Sequence, residues 1–232
     1  MCDFLSAIVL REPRNKGGFA IIHSYATDSH SDLIAVHNLR DDGKLRFARV
    51  EYSPKDTKTA HLVETYALKI DEERTPEWFD DDMKKAVAEK LAAIVKVMIV
   101  PKSGMTVLGG SWIVPPDFEV SVGPMTRIIV NSGTVTRNYG TVNDNYGTVT
   151  RNSGTVNVNS GTVTRNSGTV NVNSGTVNVN YGTVNDNYGT VTRNSGTVND
   201  NYGTVNDNYA DVVQNITTCG KGVIVSGKKA LK

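Results

Sequence analysis

Asn131-Ser132-Gly133-Thr134-Val135-Thr136-Arg137 and Asn138-Tyr139-Gly140-Thr141-Val142-Asn143-Asp144 open a run of twelve consecutive seven-residue units that ends at Gln214. Every unit begins with Asn. Eleven spell Asn-(Ser or Tyr)-Gly-Thr-Val followed by two variable residues, and the last, Asn208 to Gln214, is degenerate. A short fixed period means one structural unit copied along an axis, each copy burying its apolar side against its neighbours.

Seven is also the coiled-coil number, but a coiled coil needs two apolar positions per heptad with good helix formers between them. Here only Val is reliably aliphatic, and Asn, Gly, Thr and Ser disfavour helix interiors. Thr-Val-Thr and Thr-Val-Asn suit a pleated strand, whereas Asn-Ser-Gly and Asn-Tyr-Gly supply turn formers that tolerate unusual backbone angles. Each unit is then one short strand and one corner, and the fold class is mainly β, a β-solenoid.

Alternation assigns the faces. With Val135 inward, Gly133 and Asn131 also point in, while Ser132, Thr134 and Thr136 point out. The odd period is absorbed at the corner, where Arg137 precedes Asn138. Valines then stack on valines at about 4.8 Å, and asparagines form hydrogen-bonded ladders along the axis. Two heptads per coil would give a flat roll of six coils, three a triangular prism of four. The second position, read in threes, runs Ser-Tyr-Tyr, Ser-Ser-Ser, Ser-Tyr-Tyr, Ser-Tyr-Tyr, which favours three.

The flanks read as the ends of this array. Strands are expected at Phe4–Leu10, Gly18–Ser24, Leu45–Ser53 and His61–Ile70, and a short helix at Ser29–Leu39 capped by Asp28 and Ser29. Thr75-Pro76-Glu77-Trp78 carries the strongest helix-start signal, followed by Phe79, Met83, Val87, Leu91, Ile94, Val95 and Met98 at helical spacing. Residues 1–104 are therefore expected to form an α+β capping domain. Four short strands, Met105–Leu108, Ser111–Val114, Phe118–Val122 and Met125–Val130, would supply the first coils over 105–130. The heptads occupy 131–214. The tail, 215–232, closes the far end with Lys228, Lys229 and Lys232, charges that resist stacking.

Composition narrows the function. The net charge is +1 in 232 residues, with no basic stripe for nucleic acid. The N-terminus lacks the basic start and cleavage site of a signal peptide, and no apolar run reaches the roughly 18 residues that cross a bilayer. The expectation is a cytoplasmic protein, or one released without a cleaved signal, with no nucleic-acid or membrane partner and no cofactor. Cys2 and Cys219 give no disulfide framework.

Removal of Met1 would expose Cys2 as an N-terminal nucleophile of the amidotransferase kind, but no further motif of those enzymes follows. His23, His30 and His37 are seven apart, which matches metal-ligand spacing only loosely. Glu77, Asp80, Asp81 and Asp82 suit a helix N-terminus without any acid–base role. Trp112 reads as a core plug. No catalytic or metal residue is expected. The expected binding surface comprises Thr134, Thr136, Tyr139, Thr141, Tyr146, Thr148, Thr150, Tyr181, Tyr188 and Tyr202, acting as repeated polar and aromatic contacts with a protein partner or a second copy. The alternative is an ice- or polysaccharide-binding hydroxyl lattice.

The opening Met1-Cys2-Asp3-Phe4-Leu5-Ser6-Ala7-Ile8-Val9-Leu10, with Thr27-Asp28-Ser29-His30, Thr75-Pro76-Glu77-Trp78 and Leu108-Gly109-Gly110-Ser111-Trp112-Ile113, resembles an uncharacterised group of phage and bacterial proteins. In that group a domain of this size precedes tandem heptapeptides. The resemblance spans the whole chain; it implies a phage or prophage origin and no activity or site.

Overall fold

The computed structural model describes residues 4–12, 18–24, 29–42 and 44–210, with the backbone of two later strands at 212–215 and 223–227. The chain divides into two units, Met1–Met98 and Ile99–Lys232.

In the first unit, β1 (Leu5–Arg11), β2 (Phe19–His23), β3 (Phe47–Pro54) and β4 (Tyr66–Ile70) form an antiparallel sheet in the order β2-β1-β3-β4. Helix α1 (His30–Val36) starts at Ser29, whose hydroxyl accepts the Asp32 N–H. Its Leu33 is buried with Ile8 and Phe47, and Leu10, Ile22, Ile34 and Leu39 pack around them. Asp28 lies outside the described residues.

Two local expectations fail here. The strand expected at His61–Ile70 begins only at Tyr66, because Val63–Thr65 is a short 3-10 turn, as is Thr57–Thr59 in the loop before it. The Asp56 carboxylate accepts the Lys58 N–H, and the Thr59 and Thr65 hydroxyls donate to the carbonyls of Asp56 and Leu62. Such local bonds compete with extended pairing. The long helix, α2 (Asp81–Met98), also begins later than Thr75-Pro76 suggests. Pro76 to Phe79 is a turn closed by the Phe79 N–H on the Pro76 carbonyl. The cap is Asp80, whose Oδ1 accepts the Met83 N–H at 2.9 Å. Val87, Leu91, Val95 and Met98 then form the buried stripe.

The second unit is a parallel β-solenoid. Its first coils are two long strands, β5 (Met105–Val114) and β6 (Glu119–Asn131), where four short ones were expected. Gly109-Gly110 and Gly123-Pro124 interrupt neither strand. The register shifts there, Val107 facing Val122 and Gly109 facing Met125, so each strand passes from one face of the solenoid to the other without ending. The first part of β6 pairs with β7 (Thr134–Asn138) and the second part with β8 (Thr141–Asn145).

From there every heptad is a five-residue strand plus a two-residue corner, up to β16 (Thr197–Asn201) and β17 (Thr204–Asn208). Strands pair at a separation of fourteen residues: Val135 with Val149, Val142 with Val156, Val163 with Val177. Two heptads therefore make one coil, and the triangular arrangement is overturned. The interior shows why. Val135 to Val205 are fully buried, as are the asparagines that begin each heptad, Asn131 to Asn208. One valine and one asparagine per strand fill the gap between two facing sheets, whereas a triangular interior would need bulkier side chains to reach native packing density. The register continues into β18 (Val212–Asn215) on β16 and β19 (Val223–Gly227) on β17.

Alternation holds within each strand until its fourth residue. Thr136 and Arg137 both face outward between buried Val135 and buried Asn138, which absorbs the odd period as expected. The glycines have a different role from the one expected. No residue of the heptads, glycine or otherwise, has a positive φ among the described residues. Glycine is required because adjacent coils nearly touch at the corner: a Cβ on Gly154 would stand 2.1 Å from the Gly140 carbonyl oxygen.

Candidate functional site

The corner asparagines form two continuous ladders. Nδ2 of Asn131 donates to Oδ1 of Asn145, and the series runs on through Asn159, Asn173, Asn187 and Asn201 at 2.7–2.8 Å. The opposite corner carries Asn138, Asn152, Asn166, Asn180, Asn194 and Asn208 in the same way. From Asn138 to Asn187 each ladder amide donates again to a carbonyl of its own or the following coil, as Asn152 does to Gly154 and Thr169. These buried polar side chains are thus satisfied along the array, which is the condition for keeping them in a core. The ladder begins at Asn131, whose Oδ1 has no partner among the described residues because Val114 occupies its place in the coil before.

Two heptads per coil sort the remaining residues onto two outer faces. The face of β7 collects the first, third, fifth and later odd heptads. It carries Thr134, Thr148, Thr162, Thr176, Thr190 and Thr204 in one row, and Thr136, Thr150, Thr164 and Thr192, with Asn178 and Asn206, in the next. The face of β8 has Thr141 and its equivalents in the first row but asparagine throughout the second, where Asn143, Asn157, Asn171, Asn185 and Asn199 make a third, part-exposed ladder. Thr134, Thr136, Thr148 and Thr150 are therefore brought together, and Thr141 lies on the other side.

Charge separates in the same way. Arg137, Arg151, Arg165 and Arg193 are all exposed on the β7 face, in one column with Val179 and Asp207. The β8 face holds Asp144, Asp186 and Asp200 in the corresponding column with Val158 and Val172. Balanced composition thus conceals two faces of opposite sign.

The tyrosines occupy the corners. Tyr146, Tyr188 and Tyr202 lie where the chain enters the β7 face, Tyr139 and Tyr181 where it enters the β8 face. Tyr188 and Tyr202 are on adjacent coils and stack with ring centroids 4.7 Å apart and planes 8° apart. Desolvation in this stack, then Tyr188 and the Asp200 and Asp186 carboxylates, push the Tyr202 hydroxyl above the ordinary phenol range. Tyr139, Tyr181 and Tyr188 are each more than half exposed.

In the N-terminal unit the three histidines do not converge. His37 is exposed at the end of α1, and His23 closes β2, where burial lowers its pKa. His30 is buried, with Nδ1 2.9 Å from the Asp71 carboxylate and Nε2 donating to the Val50 carbonyl at 3.0 Å. Glu51 completes a cluster whose ligand atoms all lie within 4.8 Å of one another, the one such group among the described residues. Spacing along the chain could not reveal it, because Glu51 and Asp71 arrive from β3 and the end of β4. Of the acids at the start of α2, Asp80 is the cap and Asp81 pairs with Lys84 at 2.7 Å. Trp112 is partly buried against the valine core, and its indole N–H donates to the Gly109 carbonyl at 2.7 Å. Cys2, Cys219, Lys228, Lys229 and Lys232 lie outside the described residues. Among the described residues no helix is long and apolar enough to cross a membrane.

No protein-family model, curated protein or solved structure matches the chain. The architecture that the heptapeptide resemblance implies, a small α+β unit followed by a repeat solenoid, is present; the phage origin it implies has no support from these comparisons.

Proposed function

We propose that the chain is a non-enzymatic structural and protein-binding module, working through multivalent contact along the outer rows of its solenoid. The observation that carries this reading is the register: one row on each face is threonine at every coil, about 4.8 Å apart, beside a row of threonine or asparagine, on a backbone held by buried Asn ladders. Contacts that are weak singly become strong when they act together on a rigid frame, so affinity depends on coil number. The tyrosines at the corners add rigid aromatic contacts.

The experiment is removal of whole coils. Chains lacking one coil (residues 159–172) or two (145–172) are compared with the full chain for the proteins they retain from the source organism. Specific retention that weakens stepwise with each coil supports the reading. Retention indifferent to coil number overturns it.

A second reading is favoured by one observation: Thr-Val-Thr is concentrated on the β7 face, at Thr134 and Thr136, Thr148 and Thr150, Thr162 and Thr164, and Thr190 and Thr192. Paired hydroxyl rows suit ice or a polysaccharide surface. Thermal hysteresis, or sedimentation with insoluble polysaccharide, separates this from protein binding, and Thr150→Val together with Thr164→Val should abolish either signal.

A further inference from the structure

Part of each charged column stacks like on like, although Arg193 lies in register with Asp207. Arg151 pairs in register with Arg165, and Asp186 with Asp200. Like charges facing each other across adjacent strands are destabilising, so each face is left with an electrostatic strain that an opposite lattice of the same rise would relieve. The other face of the same solenoid is such a lattice, because both faces are generated by one fourteen-residue coil.

We infer that the partner of the array is a second copy of this chain, docked with its aspartate face on the arginine face of the first. This rests on the proposed role of the outer rows as a binding surface and names their partner. Orientation follows from the coil. The chain crosses one face and returns along the other, so strands on the two faces run in opposite senses. A second copy brought up by simple translation would set its Asp column against Thr134 and its equivalents, leaving the Arg column unmatched. Turning it by half a revolution about the face normal reverses both its strands and its axis, and brings the two columns together.

One antiparallel register then matches all three aspartates. Arg137 faces Asp200, Arg151 faces Asp186, Arg193 faces Asp144, and Val179 meets Val158, with Arg165 over Val172. The contact joins two different surfaces, so it does not close: the second copy presents its own arginine face to a third. Individual exposed ion pairs contribute little, and the assembly is held by their number and is sensitive to salt.

Light scattering and sedimentation of the full chain test this. At 0.01 M salt, where charges reach about 30 Å, the mass should rise with concentration past roughly twice that of one chain; at 1 M, where they reach about 3 Å, it should return to one chain. A variant with Arg137, Arg151, Arg165 and Arg193 all changed to Asp should stay monomeric, as should one with Asp144, Asp186 and Asp200 all changed to Arg. Mixing the two should restore assembly. If either fails to fold by circular dichroism, Arg→Gln and Asp→Asn versions replace them and should each lose self-association. A chain that stays monomeric at low salt overturns the inference, as does a mixture that does not associate. So does an arginine face that binds heparin, a linear polyanion, while the chain remains a monomer. Coil-dependent retention of another protein by a monomeric chain would refute self-docking and leave the proposed binding role standing.

Discussion

Gly147 lies against Gly133 of the coil before it so closely that a methyl group on Gly147 would stand 2.0 Å from the Gly133 carbonyl oxygen. The obstacle is backbone, and that backbone is itself bonded: the Thr148 N–H donates to the same oxygen at 2.9 Å.

Gly147→Ala should therefore cost more than the usual 1–3 kcal/mol of an overpacked core, because no side chain can move aside. Equilibrium urea unfolding should show the loss, while Ser153→Ala at an exposed corner changes stability by less than about 0.5 kcal/mol.

Asn152→Ala should remove one rung and leave two buried polar atoms short of a bond: one N–H of Asn138, whose Nδ2 keeps its bond to the Thr155 carbonyl, and the Oδ1 of Asn166. At about 1–3 kcal/mol for each orphaned buried group, the expected loss is roughly 2–6 kcal/mol. Asn157→Ala in the part-exposed ladder should cost less than about 1 kcal/mol, since water can replace the partner. Denaturant midpoints of the two variants compare the ladders directly.

Deleting residues 159–172 removes one whole coil and should leave the downstream register intact, with stability falling by one unit of a near-additive series. Deleting only 159–165 keeps the valine and asparagine pattern but moves every later heptad to the opposite face. That chain should still give a β-strand circular dichroism spectrum, yet Arg193 would join the aspartate side and Asp200 the arginine side, and its salt-dependent self-association should drop. Sedimentation of the two deletions is the measurement.

His23 has a pKa held below its usual 6.5 by burial. The unfolded chain takes up the proton first as pH falls, so its stabilising effect on the N-terminal unit is full above about pH 6.5 and is lost as pH drops below that value toward the folded pKa. An NMR titration should place the His23 midpoint below 6.5, and His23→Gln should flatten the pH dependence of unfolding over the same window.

The repeat period, the inward Val and Asn, and the asparagine ladders were legible because they depend on neighbours within one heptad and its copies. The second position carries no signal for the number of heptads per coil, because it is a corner residue that faces solvent and is free to be Ser or Tyr. The sixth and seventh positions held the better signal. Thr-Arg occurs at heptads one, three, five and nine and never at an even one, which is the alternation a two-heptad coil requires. The 3-10 turns before β4 and the Asp80 cap were hidden by local hydrogen bonds that outweighed strand and helix propensity. His30, Asp71 and Glu51 were hidden by distance along the chain.

The sequence by itself determined that this protein coils, since one valine in seven cannot be buried except against its own copies. Only the tertiary structure decided that two strands complete a turn, and with that, which side chains share a surface. The narrow interior admits just a valine and an asparagine from each strand, and the fourteen-residue period it enforces sends Arg137, Arg151, Arg165 and Arg193 to one side and Asp144, Asp186 and Asp200 to the other.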